Sequence, residues 1–261
     1  MSRLPEIIKK PLRLPRAVLM TGVNRVRIAL GRDSNDEAVD YWAHIGDDEQ
    51  LTDVQVDGFV SRGTELAPIL DELREDVIAH VQAHMHLGSR VLDYGCGSGR
   101  YLSAFADTRG IELYGLDLSA SILERFTRKR VPNAHLVQAD LASDDSFVNE
   151  NGGSFDVVCC VSVIQYVRYT RLPRLIRAMA ALLRPGGAVY LRFPHPNSRW
   201  ERLSEFGYVR YYPREIEGLL AESGLTVTES YSTHYGVRAD TVDRTGNPNY
   251  GYVVVAEKPG A

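Results

Sequence analysis

The sequence predicts an α/β protein with a mostly parallel sheet that is covered by helices on both faces. Short apolar runs typical of buried strands alternate with stretches of helical periodicity from about residue 60 onward. The run at residues 155–161 is apolar on both faces, which is typical of a central parallel strand. The last two predicted strands have no helix between them, so we expect antiparallel pairing at one edge of the sheet.

Each predicted element follows from its local pattern and from its capping or turn residues. The seven predicted strands span residues 91–93, 112–117, 135–139, 155–161, 188–193, 225–231 and 250–257. The predicted helices span residues 64–85, 100–108, 119–129, 172–184 and 213–223. Thr64 and Ser119 are expected N-caps, and Pro-Gly-Gly at residues 185–187 is expected to form the turn before the fifth strand. Residues 60–261 are thus expected to form one domain, and residues 1–59 a partly helical arm or lid.

The composition is that of an ordinary globular protein. The chain of 261 residues is 44% hydrophobic and 25% charged, and its formal net charge of -4 does not favour nucleic acid as a partner. Cys96, Cys159 and Cys160 have neither the spacing of a zinc site nor the number of a disulfide framework, so we expect reduced core thiols. Without a signal peptide or a membrane-spanning run, a cytoplasmic location is expected.

Charge is segregated in the N-terminal arm. Residues 1–32 hold eight Lys or Arg and one acid, whereas residues 33–58 hold nine acids and no Lys or Arg. The simpler interpretation is a solvated arm that lies against an acidic neighbour. The alternative is weak contact with an anionic lipid surface or a phosphorylated substrate, through a helix that starts after Pro15. Tyr41 and Trp42 follow in the acidic part, where we expect a lid.

A glycine-rich turn follows the first predicted strand. Gly95, Gly97 and Gly99 alternate with other residues, and Arg100 begins a predicted helix. The turn would therefore lie at a helix N-terminus, where unpaired N–H groups favour a negatively charged group. A tight strand-to-helix turn needs glycine with or without a ligand, so the turn gains meaning only from the residues that follow it.

Polar residues follow the ends of the next strands. Asp117 ends the second strand, 22 residues beyond Gly95, where a carboxylate can accept hydrogen bonds from a ribose. Asp140 follows the third strand and could accept from an exocyclic amine such as that of adenine. Gln165 and Tyr166 follow the fourth strand. Each of these residues could instead be only a helix-start, loop or first-turn residue. Together, however, they converge on one crevice beyond the carboxyl ends of the strands.

These segments resemble the motifs of a known superfamily. Val-Leu-Asp-Tyr-Gly-Cys-Gly-Ser-Gly at residues 91–99 resembles the first motif of the class I S-adenosylmethionine-dependent methyltransferases, and Leu-Tyr-Gly-Leu-Asp-Leu-Ser at 113–119 resembles the second. Residues 138–141, 155–158 and 183–187 are similar to the third motif, the fourth motif and the turn before the fifth strand. The resemblance implies a Rossmann-like seven-stranded sheet in the order 3-2-1-4-5-7-6, with the seventh strand (β7) antiparallel.

The resemblance also implies the cofactor S-adenosyl-L-methionine. In this superfamily the glycine loop approaches the methionine part, the acid after the second strand holds the ribose, and the acid after the third holds the adenine amine. The candidate cofactor-binding residues are therefore Asp93, Gly95, Gly97, Gly99, Asp117, Leu118, Asp140, Leu141 and Val161. A dinucleotide is not expected, because its G-x-G-x-x-G spacing is absent from this loop.

An alcohol acceptor requires a base at the catalytic edge, whereas an amine that arrives neutral does not. His195, which follows the fifth strand, is the first candidate. His234, in the connection between the last two strands, is the second, and Tyr166 is a further catalytic candidate. The remaining histidines near the first strand are expected only to decorate a helix that faces away from this edge: His80, His84 and His86.

Several sequence features narrow the acceptor. The segment after the fourth strand lacks the Asn/Asp-Pro-Pro-aromatic sequence of enzymes that act on nucleic-acid amino groups. Gln165 and the His-Pro-Asn at 195–197 differ from the acidic residues of metal-dependent catechol-type enzymes, so no metal is expected. Aromatic residues are frequent in the variable segments, which suits a small organic molecule, a sugar ring or a prenylated tail.

The sequence thus predicts methyl transfer to O or N of a small-molecule or glycan-type metabolite. Two other functions stay open: an RNA or protein methyltransferase that uses the basic arm, and a non-catalytic partner subunit that only binds the cofactor. The sequence does not fix the oligomeric state, and a homodimer is one possibility for the protein.

Overall fold

The computed structural model describes residues 35–48, 50–52, 67–194, 209–234, 237–239 and 250–260. These residues form a mixed sheet of eight strands: β1 (Arg90–Tyr94), β2 (Glu112–Asp117), β3 (Ala134–Gln138), β4 (Phe155–Val161), β5 (Leu183–Pro194), β6 (Thr226–His234), β7 (Val237–Ala239) and β8 (Tyr250–Glu257). The α-helices within these ranges are α1 (Asn35–His44), α2 (Ala67–Ala83), α3 (Ala120–Arg128), α4 (Ser146–Asn151), α5 (Leu172–Leu182) and α6 (Pro213–Glu222).

The predicted sheet topology is confirmed. The strand order is β3-β2-β1-β4-β5-β8-β6-β7; β1 to β5 pair in parallel, and β8 pairs antiparallel with both β5 and β6. Because β7 is an additional short edge strand, β8 is the predicted seventh strand, and the predicted order 3-2-1-4-5-7-6 holds. Val237–Ala239 pairs with the end of β6. Three residues carry too short a pattern to predict such a strand.

Helices cover both faces of the sheet. On one face α5 and α6 pack against Leu92 and Val158, and on the other α2 and α3 pack against Val91 and Val157. Every residue of β4 is buried, as predicted for a central strand. The carboxyl ends of β1 to β5 consequently meet at one edge, where the predicted ligand crevice lies.

The structure differs from the predicted local structure in three places: two predictions were wrong and one helix was missed. Residues 100–108 form only a 3₁₀ helix at Leu102–Phe105, so no α-helix begins at the glycine turn. The buried Leu102 and Phe105 fit a 3₁₀ turn as well as an α-helix, and Gly99 and Gly110 leave little room for a longer one. The short helix α4 was not predicted at all.

The third difference concerns the Pro-Gly-Gly segment, which lies inside β5 rather than in a turn before it. The Gly186 N–H donates to the Lys258 carbonyl (2.9 Å), and the Lys258 N–H donates to the Gly187 carbonyl (2.8 Å). The register with β4 shifts between Phe155 and Val157, where a proline can be accommodated.

The histidines near α2 make specific contacts, contrary to the prediction that they only decorate its surface. The His80 ring lies 5.1 Å from that of Tyr190, and His86 Nε2 lies 2.9 Å from Asp156 Oδ1. His84 Nε2 lies 3.4 Å from a carboxylate oxygen of Glu257.

Part of the acidic arm packs against the sheet domain at α3. The Ser119 hydroxyl donates to the Ala43 carbonyl at 2.9 Å, and Ile45 packs against Ile122. The Arg125 guanidinium donates to the carbonyls of residues 46, 48 and 51. The basic residues 1–32 and the expected cap Thr64 lie outside the described residues, and the division of the chain at residues 59 and 60 stays a prediction.

All three cysteines are buried and free, as predicted for core thiols. Burial raises the pKa of the Cys159 and Cys160 thiols well above their usual value. Within the described ranges, no helix combines the length and the apolar composition that a bilayer crossing requires.

Candidate active site

The glycine turn is fixed by backbone conformation and by close packing. Gly95, Gly97 and Gly99 have φ angles of +73°, +55° and +81°, a region that side chains disfavour. The N–H groups of Gly95 and Cys96 both donate to the Leu116 carbonyl, at 2.7 and 3.0 Å, which joins the turn to the end of β2. A β-carbon on Gly95 would lie 2.3 Å from a methyl group of Val163. Glycine is therefore required here before any ligand is considered.

Asp117 joins the two loops that follow β1 and β2. Its Oδ2 accepts the Gly97 N–H and its Oδ1 accepts the Ser119 N–H, each at 3.0 Å. The residue is 9% exposed, and burial raises the pKa of its carboxyl, while backbone N–H groups oppose that shift. Each carboxylate oxygen has a second lone pair, so two hydroxyl groups of a ligand can still donate to it.

Asp140 is held in a turn after β3. Its Oδ1 accepts the Tyr94 hydroxyl (2.8 Å) and the Ala142 N–H (3.0 Å), and its Oδ2 accepts the Ser143 hydroxyl (2.7 Å). Burial, followed by the charge of Asp140, raises the pKa of Tyr94 well above its usual value. The carboxylate is thereby oriented by groups from two strand ends.

The other cofactor candidates differ in how far they are buried. Asp93 is 2% exposed at the end of β1, and the side chains of Leu141 and Val161 belong to the two hydrophobic cores. Leu118 is half-buried, and its carbonyl accepts from Gln138 Nε2 at 3.0 Å. These assignments stay predictions.

Aromatic and amide groups meet after β4. Tyr166 ends a 3₁₀ helix at Ile164–Tyr166, and its ring lies 4.9 Å from the Trp42 ring of the arm. Gln165 is 5% exposed; its Nε2 donates to the Ser162 carbonyl at 2.7 Å, which fixes the orientation of the amide. Its Oε1 is buried without a hydrogen-bond partner among the residues that the structure describes. The arm thus reaches the same edge as the strand ends.

Sequence reasoning missed two residues of this edge. Ser162, directly after β4, has a φ of +59°, and Arg192, in β5, is 8% exposed. Arg192 Nη1 donates to the Ser162 hydroxyl at 3.2 Å. The available signal was a single charged residue within the apolar run of the fifth predicted strand. Positive φ at Ser162 is a tertiary feature that the sequence does not show.

The predicted catalytic histidines are placed only in part. His195 lies outside the described residues. His234 ends β6, where its backbone pairs with Val237 and Tyr250. In the portion of the chain that is described, no three His, Cys, Asp or Glu side chains are close enough to hold a metal ion. A reaction without a metal stays a prediction, because the segment after β5 is not included.

Several known proteins with similar sequences or folds are methyltransferases. A family model described as a methyltransferase domain matches residues 63–230. A ubiquinone biosynthesis O-methyltransferase of Ralstonia nicotianae is 27% identical over 195 residues, which cover 67% of this chain and 78% of the relative. The crystal structure of a Synechocystis magnesium protoporphyrin IX methyltransferase with bound S-adenosylmethionine has a TM-score of 0.61 at 18% identity, over 87% of this chain and 97% of that one.

A complex between the Haloferax volcanii Trm112 methyltransferase activator and a methyltransferase contains a similar chain, with a TM-score of 0.57 at 20% identity, over 78% of this chain and 97% of that one. At such identities these structures support the Rossmann-like fold alone. The family match covers more than half of the chain. The protein therefore belongs to the methyltransferase domain family and is an S-adenosylmethionine-dependent methyltransferase.

Proposed function

We propose that the enzyme transfers the methyl group of S-adenosylmethionine to an oxygen atom of a small organic acceptor. The structural observation behind this proposal is the carbonyl oxygen of Gln165 after β4, which has no hydrogen-bond partner among the described residues. A buried acceptor without a donor is unfavourable unless a ligand supplies one, and either the O–H of an alcohol or the N–H of an amine would do so. The O-methyltransferase names of the relatives favour the hydroxyl, and ubiquinone biosynthesis suggests a phenolic one.

The cofactor assignments fit the geometry of the strand ends. Asp117 retains acceptor capacity for two ribose hydroxyls, and the oriented carboxylate of Asp140 suits an exocyclic amine. The three glycines of the turn, Gly95, Gly97 and Gly99, carry no side chain and let the backbone approach the methionine part of the cofactor. We assign the ribose to Asp117, the adenine amine to Asp140 and the methionine part to residues 95–99.

The bound cofactor supplies an activated methyl group on a sulfonium, so the protein has mainly to position the acceptor oxygen in line with it. In the proposed site Gln165 accepts the acceptor O–H and orients it. The proton must then pass to a base, for which His195 and His234 remain the candidates. Trp42 and Tyr166 provide an aromatic surface beside this position, and we assign the arm the role of a lid.

The buried thiols are consistent with a cytoplasmic enzyme, which we propose. Contact of residues 1–32 with an anionic surface stays a prediction, and so does the assembly state.

Replacing Gln165 by leucine tests the choice of oxygen. Catechol and 1,2-diaminobenzene are offered with isotope-labelled S-adenosylmethionine, and products are identified by mass spectrometry. We expect O-methylated catechol from the wild type and at least about a tenfold lower kcat/KM in Gln165→Leu, because one hydrogen bond to the acceptor is lost. The exposed Gln82→Leu is the matched control. Methylation of the diamine alone would contradict the proposal.

The affinity for S-adenosylhomocysteine is expected to fall as the pH falls through the raised pKa of Asp117. Protonation removes the charge to which the ribose hydroxyls donate, so binding is full above this raised pKa and is lost below it. Calorimetric titrations should show the decline at a higher pH than an ordinary aspartate would give. Asp117→Asn should bind weakly without this step; an equal step in that variant would assign the titration to another group.

A further inference from the structure

Arg192 is a buried cation at the edge where the acceptor is proposed to bind. It is 8% exposed, and no carboxylate within the described ranges forms an ion pair with it. The charged and titratable groups that act on it are Asp76, Tyr101 and Tyr190. The Asp76 carboxylate already accepts the hydroxyls of Tyr190 (2.8 Å) and Tyr231 (3.1 Å). A buried charge without a close counterion is unfavourable, so this one is suited to a ligand of opposite charge.

One edge of the guanidinium is unused. Nη1 donates to the Ser162 hydroxyl, whereas Nε is buried and has no partner in the described part of the chain, and Nη2 makes no hydrogen bond there either. The N–H groups of Nε and Nη2 point the same way and form the side-on edge of the guanidinium. This edge matches a carboxylate, which can accept two parallel N–H bonds from it.

Gly251 packs closely against this end of the guanidinium. A β-carbon on Gly251 would lie 2.7 Å from Arg192 Nη2 and 2.7 Å from Thr233 Oγ1, so only a glycine at this position allows the two groups to lie this near the β8 backbone. Thr233 is fully buried, and its hydroxyl oxygen has no hydrogen-bond partner among the described residues. Two polar groups that have no partner for these atoms among the described residues thus lie side by side near Gly251.

The position in the sheet favours the acceptor over the cofactor as the source of the carboxylate. The proposed nucleoside contacts lie on β1, β2 and β3, on one side of β4. Arg192, Thr233 and Gly251 lie on β5, β6 and β8, on the other side. Ser162, which follows β4, stands between the two halves.

We propose that Arg192 is a specificity-determining residue that binds a carboxylate of the methyl acceptor side-on through Nε and Nη2. This inference rests on the proposed function, since it assigns the acceptor to the same site. The enzyme would accordingly prefer phenols that carry a carboxylate over neutral phenols of the same shape.

Binding of 3,4-dihydroxybenzoate and 3,4-dihydroxybenzamide to the protein loaded with S-adenosylhomocysteine tests the proposal by calorimetry, without turnover. We expect the wild type to bind the carboxylate at least about tenfold more tightly than the amide, and Arg192→Met to lose this preference. Arg192→Lys should keep only part of it, because an ammonium cannot form the side-on pair. Gly251→Ala should also reduce it, by crowding the guanidinium.

The controls separate the possible outcomes. Arg184→Met removes an arginine at the other end of β5, which pairs with Asp156, and should keep the preference. A tenfold weaker affinity of Arg192→Met for S-adenosylhomocysteine, with the preference retained, would assign the guanidinium to the cofactor carboxylate and overturn the proposal. An equal affinity of the wild type for both probes would also overturn it. The O-methylation assay uses neutral catechol, so its outcome does not depend on the preference for a carboxylate. It therefore tests the proposed function separately from the role of Arg192.

Discussion

Replacing Asp117 by alanine is expected to weaken the binding of S-adenosylhomocysteine by on the order of a hundredfold or more. Two ribose hydroxyls would lose a charged acceptor, and each such hydrogen bond contributes about 1.5–3 kcal/mol. The same change frees the Gly97 and Ser119 N–H groups, which hold the loops after β1 and β2 in place. The effect on affinity therefore combines lost contacts with a less ordered glycine turn.

Calorimetry on the purified variant measures this effect. Asp145→Ala provides the matched control, because that carboxylate is exposed, pairs with Arg174 and makes no hydrogen bond to the loops after β1 and β2 within the described residues. A thermal unfolding scan of each variant shows whether the fold persists. An unchanged affinity in Asp117→Ala would contradict the assignment of the ribose to this residue.

Gly95→Ala is expected to lower the free energy of unfolding by about 2–5 kcal/mol. A side chain at a φ of +73° is strained by about 1–2 kcal/mol, and overpacking adds about 1–3 kcal/mol. The overpacking arises because the new β-carbon would lie 2.3 Å from a methyl group of Val163. Activity should fall as well, since the contact joins the glycine turn to the segment that carries the proposed acceptor site.

Gly153→Ala separates strain from overpacking. Gly153 has a φ of +70°, but a β-carbon there would have no neighbour within 4 Å, so only the strain is expected. Combining Gly95→Ala with Val163→Ala should recover part of the stability, which chemical denaturation would show as a favourable coupling energy. If Gly95→Ala and Gly153→Ala lower the free energy of unfolding by the same amount, the close contact with Val163 does not contribute to the loss of stability.

The parallel strands could be predicted from the sequence because each is a short apolar run with a turn residue beside it. Asp117 and Asp140 could be placed at the crevice because strand ends of a parallel sheet converge there. Residues 100–108 could not be assigned correctly, since apolar residues three apart, such as Leu102 and Phe105, fit both kinds of helix. The extension of β5 through Pro185 depends on pairing with the backbone of Lys258, which local sequence does not encode.

Arg192 shows why part of the site was missed. Its surroundings combine residues that follow β4 and residues on β6 and β8, which are far apart in the chain. Gln165 was recognised as a candidate, but the hydrogen bond of its Nε2 to the Ser162 backbone, which leaves its carbonyl oxygen without a partner in the described part of the chain, could not be predicted. Whether a polar group finds a hydrogen-bond partner depends on the tertiary structure, and a residue pattern does not contain that information.

Arg125 also determines how the arm would detach from α3. Its guanidinium donates to three backbone carbonyls of the arm, those of residues 46, 48 and 51. Because the three bonds share one side chain, a single rotation of that side chain breaks all of them, so residues 46–51 are expected to lose their contacts with Arg125 together rather than one by one. All the acceptors are main-chain oxygens, so replacing the exposed side chains of Asp47 and Gln50 would leave these hydrogen bonds intact, whereas a β-carbon on Gly46 would lie 2.5 Å from Ser121 Oγ and disturb them. The stability of this contact therefore depends in part on a single side chain of the helix that the arm covers, besides the packing of Ile45 on Ile122.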